Sequence, residues 1–238
     1  MKSDTAPQIG FDRYIQLDWA RSALRVRAGL ETLEELTALI DASHTGTAAK
    51  KKTRTVLNRL WLEPRSDIEN MCDRAVAIYK SDPSTSVAAL TWGMAIATYP
   101  FFGAVAEIVG RLLRLQGECS SAEVHRRMAE VYGEREGTRR MTNMVLQSQA
   151  DWGAIERINK GKYITARREP MALTPDLELW LVEAALRHAG RGMPISSVST
   201  TPLLFPFSFS DRLAYNLSQD ERFAVRVDSA SNRIVALV

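Results

Sequence analysis

Cysteine and histidine are scarce: the 238 residues hold two cysteines, Cys72 and Cys119, and three histidines, His44, His125 and His188. The cysteines lie far apart and form no C-x-x-C pair. A disulfide framework is therefore not expected, and both are read as reduced core thiols of a cytosolic protein. No histidine has a partner at helix spacing, so no metal site is expected, and each is read as structural or solvated. The phosphate-cradling patterns G-x-x-x-x-G-K-[ST] and G-x-G-x-x-G, the zinc pattern H-E-x-x-H and the nucleophile elbow G-x-S-x-G are absent. Acids are spread over helix starts and helix faces, and no nucleophile sits beside a recognisable base. Neither an enzymatic activity nor a cofactor is expected. The first residues, Met1-Lys2-Ser3-Asp4, are polar, so no signal peptide is expected.

What is present is a globular composition. With 45% hydrophobic and 25% charged residues, the chain is not a disordered one. It is long enough for a sizeable core, in one large or two small domains. The net charge of +3 and pI near 8.9 permit an anionic partner without demanding one.

Residues 84–106 carry no charge, a run long enough to span a bilayer. Pro100 interrupts it, Thr85, Ser86, Thr91 and Thr98 dilute it, and Gly93 and Gly103 weaken it as a single helix. Two buried helices meeting at Tyr99-Pro100 are expected instead, with no membrane partner.

Helix starts are legible elsewhere. Thr32 with Glu35, Ser66 with Glu69 and Ser120 with Glu123 have the spacing of a capping box. Thr174-Pro175-Asp176 combines a cap, a first-position proline and a first-turn acid. Helices are predicted over 11–28, 32–41, 48–61, 66–79, 87–98, 101–115, 174–188 and 211–217. Residues 1–10 read as a tail, 190–202 as a loop and 203–209 as an extended packing segment. Residues 223–227 and 233–238 read as a closing hairpin around Ser229-Ala230-Ser231-Asn232.

Residues 48–61 hold five cations and no acid, with Val56, Leu57, Leu60 and Trp61 as the apolar face. Cations crowd the first turn, where the helix dipole disfavours them. An anion there would relieve that cost, and a solvated lysine run is the equally weighted alternative.

The most informative stretch is 120–168. Val124, Met128, Val131 and Tyr132 recur at helix spacing, and Gly133 can stop that helix. A second helix is predicted from about Thr138. Met141, Met144, Val145, Ser148 and Trp152 fall on one side of it. Arg139, Arg140, Asn143 and Gln147 fall roughly opposite, with Leu146 out of place on the polar side. Two short strands, 154–157 and 163–167, then flank Asn159-Lys160-Gly161-Lys162, whose Asn and Gly suit positive φ. Residues 134–168 hold eight Lys/Arg against four Asp/Glu.

That order and those charges are what a winged helix-turn-helix needs. Its second helix carries long polar side chains into the major groove, and its hairpin sets cations beside phosphates. Arg can fork onto guanine, and Asn or Gln can pair the edge of adenine. The candidate DNA-binding residues are therefore Arg139, Arg140, Asn143 and Gln147, with Arg135 and Arg167 flanking them. Lys160 and Lys162 act from the hairpin, and Lys50, Lys51, Lys52 and Arg54 extend the track. Two alternatives stay open: a protein-interaction adaptor whose interface includes Leu146, and RNA binding through the basic N-terminal helix.

The pattern also resembles the BrxA family, small proteins of bacterial BREX phage-defence systems. The likeness lies in 47–62 with Leu57-Asn58-Arg59-Leu60, in the apolar pair after Thr85, in the winged-helix-like middle and in Leu204-Phe205-Pro206-Phe207. The resemblance covers most of the chain as an order of features. It implies an all-helical N-terminal part similar to the RNA-binding antitermination factor NusB, and a winged-helix-like C-terminal part. It further implies non-catalytic binding of double-stranded DNA, alongside other proteins of the defence system. The expected architecture is mainly α, with a helical bundle over 1–116 and a winged-helix-like part with short β-hairpins over 117–238.

Overall fold

The structure, a computed structural model, describes residues 10–167, 169–228 and 232–238. The expected tail over 1–9, Arg168 at the end of the basic stretch and Ser229-Ala230-Ser231 of the closing turn lie outside the described residues.

Residues 11–16 are extended, where a helix from Phe11 is predicted. The other end of the basic stretch takes the backbone groups that a helix would have used. Ile15 N–H donates to Ser148 Oγ (2.9 Å), its carbonyl accepts from Trp152 Nε1 (2.9 Å), and Leu17 N–H donates to Asp151 (2.6 Å). Helix α1 (Leu17–Arg27) therefore starts only at Leu17. Thr32 and Glu35 form both bonds of their capping box and open α2 (Leu33–Ser43). Helix α3 (Thr47–Leu57) runs on into a π turn over Asn58–Leu62, and Val56, Leu57, Leu60 and Trp61 are fully buried. In α4 (Ser66–Ser81), Ser66 is already inside the helix and Arg65 occupies the cap position without a side-chain bond, so the capping box expected there is not formed.

Helices α5 (Val87–Thr98) and α6 (Pro100–Gln116) meet at 118° across Tyr99, with Pro100 at the first helical position. Every residue of α5 is buried. No single helix among the described residues is long and apolar enough to cross a membrane, although the bent pair together has the length and composition.

Strand β1 (Glu118–Ser120), α7 (Ser121–Tyr132), α8 (Glu136–Asp151), β2 (Ile155–Ile158) and β3 (Tyr163–Ala166) follow. After β4 (Met171–Ala172) comes α9 (Pro175–Ala189), whose stop at Gly190 is left-handed. The predicted loop over 190–202 contains β5 (Met193–Pro194) and a single turn, α10 (Ile195–Val198). Strand β6 (Phe207–Ser208) runs parallel to β4, α11 (Leu213–Gln219) follows, and β7 (Phe223–Val227) pairs with β8 (Arg233–Leu237). Two three-stranded sheets result, ordered β1-β3-β2 and β5-β8-β7. The fold is thus mainly helical, with short antiparallel hairpins after the helical region.

The main core runs from Phe11 to Phe207 and includes Phe101 stacked edge-on against Tyr132 at 4.8 Å, so packing is continuous across the boundary expected at residue 116. A smaller core around Val182, Leu217 and Val235 lies under β5-β8-β7. The buried carboxylate of Glu183 on α9 receives Arg74, Arg187 and Arg222, tying α4 to the segment before β7. Cys72 and Cys119 are buried and free, and burial pushes their thiols up to about 12 and about 11, leaving them protonated at neutral pH.

Helices α5 and α9 approach closely at Gly93. A Cβ there would lie 2.2 Å from Trp180, whose ring is fully buried and held by a bond from Nε1 to the Met71 carbonyl (2.9 Å). Helix propensity alone would make Gly93→Ala stabilising by about 1 kcal/mol. Overpacking costs about 1–3 kcal/mol and prevails here, because the ring has no room to shift. Gly93→Ala is expected to lower the urea midpoint, and a raised midpoint contradicts the packing.

Candidate nucleic-acid interface

The three-stranded sheet β1-β3-β2 holds the basic stretch together. Strand β1 pairs with β3 through Glu118↔Thr165, Cys119↔Ile164 and Ser120↔Tyr163, and β2 flanks β3 on the other side. Cys119, Ile155 and Ile164 point inward and anchor the sheet on the core. At the hairpin tip Asn159, Lys160 and Gly161 all have positive φ, at 50°, 57° and 80°. This left-handed turn, Asn159–Gly161, carries the exposed side chain of Lys160 outward. The hairpin is tied to the start of α7: Ser121 N–H donates to the Lys162 carbonyl (2.8 Å) and Ser121 Oγ to the Gly161 carbonyl. Ser120 caps α7 by accepting from Glu123 N–H (3.1 Å).

Helix α8 begins at Glu136, just before the predicted start. Its buried arc is Thr138, Met141, Thr142, Val145, Leu146, Ser148 and Gln149. That arc is rotated toward Thr142 and Gln149 relative to the predicted one, so Leu146 is fully buried instead of lying on the polar side. Leu146 is therefore not exposed to join the interface that the adaptor reading gave it. On the opposite side Arg139, Arg140 and Gln147 are exposed, and Asn143 is half-buried. The far end of α8 is clamped. Asp151 accepts from Tyr14 Oη (2.7 Å) and from Leu17 N–H, and burial with this carboxylate raises the Tyr14 phenol above its usual range.

The expected cations fall into two electrostatic classes. Lys50 and Arg54 pair with Asp41 at 3.5 and 3.0 Å, and Lys52 pairs with Asp12 at 3.1 Å. Of the four on α3, only Lys51 meets no carboxylate among the described residues. A groove of about 600 Å³ runs along this helix past Thr47 and Thr55. Arg139, Arg140, Lys160 and Lys162, by contrast, meet no carboxylate among the described residues. Arg167 lies back along the sheet and donates to the Gly153 carbonyl (3.0 Å), and Arg135 reaches Thr138 Oγ1 (3.4 Å). Arg135, His125, Arg139 and Glu136 line a groove of about 750 Å³ between α7 and the start of α8.

Two residues outside the sequence-based set belong here. His125 on α7 lies close to Asn143. Burial and the guanidiniums of Arg139 and Arg157 push its pKa down, against the opposing effect of Asn143. Arg157 on β2 is half-buried, with its guanidinium against Gly161. Strand alternation carries a signal for it, since Arg157 shares a face with buried Ile155, a costly place for a cation.

No family model, no curated protein and no solved structure matches the chain.

Gly161 combines φ of +80° with a Cβ position 2.5 Å from the Arg157 guanidinium. A left-handed L-residue costs about 1–2 kcal/mol. Gly161→Ala is expected to lower unfolding free energy by roughly that amount in a urea melt, and an unchanged midpoint contradicts the turn.

Proposed function

We propose that the chain binds double-stranded DNA without catalysis, as an accessory of a bacterial antiphage system of the BREX type. The observation that carries the DNA reading is the outer side of α8, where exposed Arg139, Arg140 and Gln147 stand with half-buried Asn143 and no acid is paired to the two arginines among the described residues. Arg, Asn and Gln read base edges when a helix lies in the major groove, and an Arg at the edge of such a helix holds a phosphate instead. The order α6, β1, α7, α8, β2, β3 and the sheet order β1-β3-β2 support a winged helix-turn-helix reading, in which α8 is the recognition helix and 158–162 the wing. On this reading Lys160 and Lys162 contact backbone phosphates beside the groove.

The defence setting rests on the BrxA-like order of features alone. The α3 cations enter as a weaker extension of the track. Three of them already have carboxylate partners that a phosphate would have to displace. For the same reason the basic N-terminal helix gives RNA binding less support than α8 gives DNA binding.

Affinity for a random-sequence duplex is expected to fall with salt, with a log–log slope of about −0.9 per phosphate contacted. The double variant Lys160→Ala/Lys162→Ala is expected to make that slope shallower by about 2 phosphates' worth, and Arg139→Ala/Arg140→Ala to weaken binding throughout. Absence of duplex binding at low salt overturns the DNA reading. An unaltered slope in the lysine variant removes the hairpin from it.

A further inference from the structure

Where the hairpin meets the two helices, three basic side chains converge from three different elements. Arg157 comes from β2, His125 from α7 and Arg139 from α8: His125 and Arg139 line one groove, and Arg157 reaches the same Gly161 carbonyl as Ser121, one turn before His125 on α7. Among the described residues none of the three forms an ion pair with a carboxylate. Most other half-buried arginines do, Arg13 and Arg167 apart. Arg25 meets Glu31, Arg27 meets Asp73, Arg74 and Arg187 meet Glu183, and Arg222 meets Asp220.

Among those without one, Arg157 is the arginine that stands at the base of the hairpin beside His125. Its Nε is buried without a partner, and its Nη2 makes only a long bond to the Gly161 carbonyl at 3.5 Å. His125 Nε2 is likewise buried and unpartnered. A desolvated cation without a counter-charge is unfavourable, and an anion with several acceptor oxygens answers the guanidinium N–H groups, and His125 Nε2 in the tautomer or imidazolium that carries a proton there. The placement follows from the hairpin. The Arg157 guanidinium lies where a side chain at position 161 would be, and the same Gly161 carbonyl also accepts from Ser121 at the start of α7.

We propose that Arg157, Arg139 and His125 form a phosphate seat at the base of the hairpin, which in the DNA-bound protein takes one backbone phosphodiester. The seat itself stands on this geometry, and its occupant in a duplex rests on the DNA reading above. Burial lowers the Arg157 pKa, consistent with a cation that lacks its counter-charge in the free protein.

The test has two arms, both on the full chain. In the first, inorganic phosphate is titrated against chloride of equal ionic strength while the His125 ring signals are followed by NMR, assigned with His125→Gln. A saturable shift is expected with phosphate alone, lost in Arg157→Gln and partly restored in Arg157→Lys. No saturable shift in the unaltered protein, or an equal shift in Arg157→Gln, overturns the seat, and the first of these decides even if the variant does not fold. In the second arm, the salt slope for a duplex is expected to lose about 0.9 in Arg157→Gln, one phosphate's worth. An unchanged slope overturns the phosphodiester assignment. A phosphate-dependent shift in a protein that binds no duplex upholds the seat and overturns the DNA reading.

Discussion

The position of α8 depends on an aromatic cluster centred on Trp92. From the wholly buried α5, this ring meets Phe102, Trp152, Phe205 and Phe207 edge-on, with centroids 5.2, 6.4, 5.5 and 5.8 Å away. Its Nε1 donates to the Leu203 carbonyl at 3.1 Å, so the polar edge of the indole is satisfied inside the core. Trp152, the residue that ends α8, stacks on Phe102 at 5.4 Å and donates to the Ile15 carbonyl. One cluster therefore joins the extended segment over 11–16, the buried helix pair, the end of α8 and the segment over 202–208. Such a junction fixes a helix by its end and leaves its opposite face free.

The charges divide along the same lines. Acids from the bundle, Asp12 and Asp41, neutralise most of α3, and Glu183 gathers three guanidiniums between α4, α9 and the C-terminal sheet. These pairs hold elements together. In the region built by α7, α8 and the hairpin, Arg139, Arg140, Arg157, Lys160 and Lys162 have no such partners among the described residues. Unpaired cations on a rigid frame repel one another and favour an anionic partner, and rigidity limits what ordering costs when one binds. The part of the molecule that the Trp92 cluster locks in place is thus the part whose electrostatics are left incomplete.

Local chemistry was legible in the sequence. Thr32 and Glu35 cap α2, Pro100 separates two buried helices, Thr174-Pro175 opens α9, and Asn159 to Lys162 turns a hairpin, because each signal acts within a few residues. What depends on distant partners was not legible. Residues 11–16 read as helix, yet Ser148, Asp151 and Trp152 hold them extended. Strand β1 has three residues, too few to show alternation, and exists because β3 pairs with it. Leu146 looked misplaced because its cover comes from the core and not from its own helix. For the site, the exposed face of α8 and the hairpin lysines followed from spacing. The pairing of the α3 cations and the convergence of His125 with Arg157 needed the tertiary arrangement.

The central claim is that the surface from the exposed arc of α8 to the hairpin tip, whose cations have no carboxylate partner among the described residues, is where the molecule meets duplex DNA. Hydrogen–deuterium exchange of the full chain, with and without a saturating random-sequence duplex at low salt, tests it most directly. The account predicts slowed exchange over 136–147 and 155–163, with little change along α2 and α3. Protection confined to the N-terminal bundle, with the α8 and hairpin peptides unchanged while the duplex is bound, would contradict it.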